Sequence, residues 1–179
     1  VYAASFHGKK LLALGGNSGN PIFDWFIGRE LNPRIGEFDI KTFNELRPGL
    51  ILWALLDISC VCHQYTKFGW VSDSIVLVTL FHVWYIVDSL INESTILTQM
   101  DITTDGFGFM LSVGDLAWLP FTYCLQARFL AFHPIHLGWL GVLAILAVQF
   151  TGYYIFRVAN LEKNEFRHGR NPKGTYAMR

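Results

Sequence analysis

The chain is 179 residues long with a formal net charge of zero; 52% of its residues are hydrophobic, 16% aromatic and 16% charged. A charged share so far below the roughly 25% of soluble domains, with a mean hydropathy of +0.32, marks an integral membrane protein and excludes the basic excess of a nucleic-acid binder. The three cysteines, Cys60, Cys62 and Cys124, all lie in apolar stretches, which excludes a secreted disulfide framework.

Residues 1–47 read as a loop and an interfacial segment. Leu11 to Leu14 is apolar but too short to span a bilayer. GGNSGN follows without a preceding strand, so it reads as a loop rather than a phosphate cradle. In PIFDWFIGRELNPRIGEFDIKTFNELR, amphipathic pieces are broken by Gly28, Pro33 and Gly36. Phe23, Trp25 and Phe26 suit the membrane–water interface. Asn32 precedes a proline and therefore avoids the α region.

Four hydrophobic spans are predicted within residues 48–159: about Pro48 to Tyr65, Val71 to Ile91, Phe107 to Leu130 and Leu137 to Ala159. Each approaches the ~20 residues that cross a bilayer core. Where no water reaches the backbone, a span of this kind is helical. The fold class expected is therefore an all-α, multi-pass transmembrane bundle. Gly114, Asp115 and Pro120 interrupt the third span, which is expected to kink.

Residues 160–179 form a basic tail. Lys163, Arg167, Arg170, Lys173 and Arg179 follow the fourth span, and Arg29, Arg34, Lys41 and Arg47 precede the first. Lys67 and Arg128 fall on the opposite side, a ratio of nine to two. The positive-inside rule then places the C-terminus in the cytosol. The chain opens on Val1 and stops in the polar run NPKGTYAMR, and is expected to be a fragment of a longer protein.

Ionisable residues inside the spans are costly and mark sites by default. Here they are Asp57, His82, Asp88, Asp115 and Arg157. On the second span His82, Tyr85, Ser89, Asn92 and Glu93 make one polar stripe at helical spacing, with Asp88 beside it. The stripe reads either as polar glue between helices or as a route that delivers a proton into an apolar pocket. Tyr85, with an ordinary pKa of about 10, is a neutral donor there. At the end of the fourth span, Asn160, Lys163 and Arg167 share one helix face. They suit either a topology anchor or a phosphate-bearing ligand at the membrane surface. Cys60-x-Cys62-His63 and His133-Pro134-Ile135-His136 lack a second ligand pair, so no metal is expected.

Three stretches together resemble the sterol reductases: GNPIFDWFIGRELNPRIG (19–36), FGFMLSVGDLAWLPFTYCLQARFL (107–130) and GYYIFRVANLEKNEFR (152–167). Phe23 stands where that family usually has tyrosine. The run GRELNPRIGEFDIKTFNELRPGL is most similar to the sterol C-14 reductases, fungal ones above all, a group that includes the reductase half of the lamin B receptor.

The resemblance implies a multi-pass protein of the endoplasmic reticulum membrane. It implies NADPH-dependent reduction of a sterol C-14 double bond, by proton addition at C-15 and hydride addition at C-14. By motif, the cofactor lysine and arginine fall on Lys163 and Arg167, and the pocket tyrosine on Tyr85. Asn160 joins the cofactor group through its helix face. His82, Asp88, Asn92 and Glu93 are expected to border the sterol. The family's first helices and its downstream R-H-P-N-Y segment are not in these residues, so the chain alone is expected to be inactive. The competing expectations are a sterol-binding or scaffold membrane protein without chemistry, and a sterol reductase of different bond specificity.

Overall fold

A computed structural model describes residues 1–170. Lys173 and Arg179 of the basic tail lie outside the described residues.

The N-terminal part is built from short, capped pieces. A 3-10 turn (Ala3–Phe6) leads into helix α1 (Pro21–Ile27). The Asn20 side chain accepts from the backbone N–H of Ile22 and Phe23, and Pro21 opens the helix where its missing N–H costs nothing. Strands β1 (Arg34–Ile35) and β2 (Phe38–Asp39) form a two-stranded antiparallel hairpin. Its turn uses Gly36 at φ 63°. Asp39 then caps helix α2 (Ile40–Leu46) by accepting from Thr42 N–H at 3.0 Å.

Among the described residues, three helices are long and apolar enough to cross a membrane. Pro48 begins α3 (Pro48–Phe68), which α2 extends through Arg47 into a 29-residue stretch. Gly69, at φ 78°, ends α3 in the left-handed conformation that suits glycine. Ser72 caps α4 (Asp73–Ile91). The third long helix is α10 (Gly138–Arg167), which stays helical well past the apolar run. At 1.5 Å per residue, the 21 residues of α3 reach about 31 Å, the thickness of a hydrocarbon core.

The third predicted span is not a single helix. The polar 92–106 connection carries α5 (Glu93–Ile96) and α6 (Met100–Thr103). Beyond it run α7 (Phe109–Val113), a π turn (Gly114–Trp118), α8 (Leu119–Tyr123) and α9 (Leu125–Phe132). The wide turn is visible in one bond: Leu119 N–H donates to Gly114 C=O, five residues back. Pro120 follows at once and withholds its own donor. Gly49 of α3 packs directly on the Asp115 carbonyl of this turn. The interruption therefore lies where a neighbouring backbone approaches.

Two apolar clusters hold α3, α4, α8 and α9 together. Leu50, Trp53, Ile86 and Cys124 form one, nearer the start of α3; Ile75, Leu130 and Ala131 form the other. Gln64 is fully buried and ties the second end. Its amide donates to Leu130 C=O at 2.7 Å, and its carbonyl accepts from Ser72 N–H at 2.7 Å. Helix α10 packs against this body chiefly along α4 and α5, and buries none of its residues fully. The Asp73 carboxylate holds its start by accepting from the N–H groups of Leu137 and Gly138.

The two expected signatures meet through glycine. Gly28, at φ 104°, lies against the backbone of Gly106 and Gly108, leaving no room for a Cβ. Phe107 N–H donates to Glu30 C=O at 3.0 Å, and Trp25 stacks on Phe109 with ring centroids 4.6 Å apart. Lys41 locks the joint. Fully buried, its ammonium donates to the carbonyls of Leu31, Ile102 and Asp105.

Candidate active site

The costly intramembrane residues are mostly paired. Asp57 on α3 is fully buried, and its Oδ2 lies 2.6 Å from His82 Nδ1 on α4. Asp88, one and a half turns further along α4, faces α10. It accepts from the Tyr153 hydroxyl at 2.9 Å and from Arg157 Nη1 at 3.4 Å. Asn92 completes the group: its amide donates to Asp88 and its carbonyl accepts from Arg157 Nη2 at 2.8 Å.

These side chains wall a polar cleft where α4 gives way to α5. Tyr85, Asp88, Ser89 and Asn92 come from α4, Thr95, Ile96 and Gln99 from the connection, and Phe156, Arg157 and Asn160 from α10. A second, apolar cleft runs along the other side of the α4–α10 seam, between Trp84, Tyr85, Gly152, Tyr153 and Phe156. It continues as a groove of Leu80, Phe81, Leu146 and Phe150. A third cleft, toward Glu45, Leu50 and Asp115, also ends on Tyr85. Tyr85 and Phe156 thus both stand where polar and apolar spaces meet, and of the two only Tyr85 carries a proton to give. Its ring is held by Trp53 at 5.9 Å and Phe156 at 6.3 Å between centroids.

The sequence-predicted residues divide into four groups. Tyr85, Asp88, Asn92 and Asn160 line the same cleft. His82 is turned away from it, toward Asp57 and the face of Trp53. Glu93 is held by Arg47 in a two-point pair of 3.2 and 2.8 Å, which fastens α5 to the α2–α3 junction. Lys163 and Arg167 lie further along α10 and are exposed. Arg167 donates to the Thr98 hydroxyl at 3.1 Å. Neither cation is within ion-pair distance of a carboxylate among the described residues. That leaves both available to meet an anion.

Arg157 was marked as costly but not as part of the site. Its signal was present: it sits three residues before Asn160, on the same helix face. Thr95 and Gln99 had no signal, because a polar connection gives no period from which to read a facing direction.

The fold and the cleft define a multi-pass helical membrane protein with a polar cleft between two of its helices, opening beside an apolar groove. The chain belongs to the Ergosterol biosynthesis ERG4/ERG24 family, whose profile matches residues 1–178. It is 66% identical over 171 residues to the Delta(14)-sterol reductase erg24 of Schizosaccharomyces pombe, covering 95% of this chain and 40% of that protein. It is 56% identical to the Delta(14)-sterol reductase ERG24 of Saccharomyces cerevisiae (95% and 39% covered) and 55% identical to that of Candida albicans (92% and 37% covered). The chain thus spans about 40% of the length of these curated relatives.

Proposed function

We propose that the full-length protein reduces the C-14 double bond of a sterol with NADPH in the endoplasmic reticulum membrane, its basic tail facing the cytosol. The chain's residues 1–47, 48–159 and 160–179 then serve as interfacial signature segment, transmembrane body and cofactor-proximal tail. The observation that carries this reading is the position of Tyr85. Its phenol stands between a polar cleft that ends near exposed cations and an apolar groove between α4 and α10 that suits a flat sterol.

In this reading Lys163 and Arg167 hold the phosphates and Asn160 the adjoining polar part of NADPH, which when bound supplies the hydride. Asp88 and Asn92 shape the wall between cofactor and sterol; the Arg157 contact keeps their geometry fixed. Tyr85 donates its proton to C-15 of the sterol. The positive charge that results at C-14 is the one hydride neutralises. The aromatic groove of Trp84, Tyr153 and Phe156 excludes water from that cation. Glu93 acts as a fastener of the connection rather than a substrate contact. Turnover is assigned to the full-length protein.

The test is membrane reconstitution of the full-length protein with NADPH and a C-14 unsaturated sterol. Tyr85→Phe keeps the ring and removes the proton, so turnover should fall by about 10²–10⁴-fold. Turnover by Tyr85→Phe at the wild-type rate would overturn the assignment. Sterol binding without NADPH consumption by the wild type would leave a binding protein instead.

A further inference from the structure

Asp57 and His82 occupy an unusual place. Each is the tenth residue of its helix, in α3 of 21 residues and α4 of 19. The pair therefore sits near the middle of the bundle, about 15 Å from either end. An ionisable pair at that depth is expensive, and well-packed apolar residues would hold two helices together at least as well. The pair is also incompletely satisfied. Asp57 Oδ1 and the neighbouring Trp53 Nε1 are buried without a hydrogen-bond partner.

The pair is tied to Tyr85 by geometry. His82 and Tyr85 are three residues apart on α4, so their Cβ atoms are about 5–6 Å apart on one face. Both rings lie against Trp53, with centroids at 4.7 and 5.9 Å. His82 Nδ1 is committed to Asp57, and the His82 side chain keeps 18% of its surface. Its Nε2 is left for another partner.

We propose that Asp57 and His82 form a proton store that recharges Tyr85 between turnovers. The inference rests on the reading of Tyr85 as proton donor. When the Tyr85 O–H bond breaks and a C–H bond forms on the substrate, a phenolate is left between the polar and the apolar cleft. The Nε2–H proton of His82 passes to that phenolate oxygen, through one bridging water. Histidine becomes neutral, still bonded through Nδ1 to the Asp57 carboxylate. It regains a proton from water that passes Tyr85, the neighbour of His82 that lines the polar cleft with Ser89, Asn92 and Gln99. Asp57 keeps the imidazole in the orientation that directs Nε2 away from the pair. The other titratable groups around the pair are Tyr85 and Tyr123 at the Trp53 ring, and Cys60 and Cys124, with Arg128 beyond them. The imidazole is the one of these whose ordinary titration falls near neutrality.

The experiment uses the full-length protein in lipid nanodiscs with NADPH and a C-14 unsaturated sterol. His82→Gln and Asp57→Asn should each lower kcat about 10-fold with the KM for both substrates unchanged. Added imidazole should restore His82→Gln, and that variant should lose the fall in kcat that the wild type shows as pH rises. A purely structural pair would instead give lower thermal stability and raised KM, with no rescue by imidazole, and that result overturns the proposal. So does a wild-type kcat and pH profile in both variants. Should neither variant fold, infrared difference spectra of wild type carrying isotope-labelled histidine decide. An imidazolium signal lost and regained during turnover is expected, and an unchanged signal overturns it. If Tyr85→Phe turns over like wild type, the Tyr85 reading itself has failed. If only the His82 and Asp57 variants do so, the store alone has failed.

Discussion

Arg157 and Asp88 bind α10 to the rest of the bundle across the cleft, with Nη1 3.4 Å from Oδ2 and the same carboxylate also taking the Tyr153 hydroxyl. Both side chains are mostly covered, at 20% and 13% exposure. Few other contacts hold α10 in place, since none of its residues is fully buried. Removing one partner strands the other charge, so Arg157→Met should destabilise the protein by about 3–5 kcal/mol. The double change Arg157→Met with Asp88→Leu should cost less than the single one. Thermal unfolding in detergent, followed for all three variants, measures the difference. If the double variant is the worse of the two, the pair is not acting through charge.

A second expectation concerns pH. Asp24, buried at the end of the glycine-rich loop, accepts from the Ser18 hydroxyl at 2.7 Å and from Ser18 N–H at 2.8 Å. The hydroxyl contact first, then the backbone bond, holds its carboxyl below the ordinary value of 3.8. A carboxylate whose pKa is depressed by folding stabilises the fold above its unfolded pKa, and that contribution fades as pH falls through the folded value. The loop against α1 should therefore stay ordered at pH 4 and open only below 3.8. In Ser18→Ala the opening should begin at higher pH. Hydrogen exchange of residues 18–28, or Trp25 fluorescence, reads the midpoint.

Glycine gives a third. Gly28 combines φ 104° with close approach of the Gly106–Gly108 backbone. Gly36 has φ 63° but open space around its Cα. Alanine at Gly36 meets only the left-handed strain of about 1–2 kcal/mol. Alanine at Gly28 adds a clash that must part the two signature segments, so it should also undo the Trp25–Phe109 stack. Gly28→Ala should fail to reach the membrane in folded form, while Gly36→Ala should lose only a few degrees of Tm. Equal effects at the two positions would show that conformation, not close approach, dominates at Gly28.

Much of this architecture could be read from residue order, for a physical reason. A bilayer removes every alternative to the helix, so apolar length alone located α3, α4 and α10. The break in the third span was also legible, because Gly114 and Pro120 act locally. What stayed hidden was pairing across helices. Asp57 and His82 are 25 residues apart and Asp88 and Arg157 are 69 apart. Each was visible as a costly residue, but its partner depends on how helices rotate against one another. Glu93 shows the same limit: its spacing continued the polar stripe of α4, yet that helix ends at Ile91. The chain direction changes there, and Glu93 turns to Arg47. Tyr85 stood out in the resemblance, while its place between two kinds of cleft came only from the packing of α10 on α4.

The exposed end of α10 yields the last expectation. Asn160, Lys163 and Arg167 share one face, but they do not stand equally. Asn160 reaches the cleft with Tyr85, and its amide donates back to Phe156 C=O at 2.8 Å. Arg167 is steadied by Thr98. Lys163 is exposed, one turn beyond Asn160 among the polar residues that follow the apolar run. A topology anchor works through the number of basic residues near a span end, and Arg167 and Arg170 remain when Lys163 is lost. A phosphate ligand works through one charge-assisted bond worth about 1.5–3 kcal/mol. In the full-length protein, Lys163→Ala should therefore raise the KM for NADPH about 10–100-fold and leave membrane insertion unchanged. Lys163→Arg should recover much of the loss, since it restores the charge. Steady-state kinetics against NADPH, alongside protease protection of the C-terminal tail, separates the two roles. Lost insertion with intact NADPH affinity would make the residue an anchor, and the phosphates would then have to be held by Arg167 and groups beyond these residues.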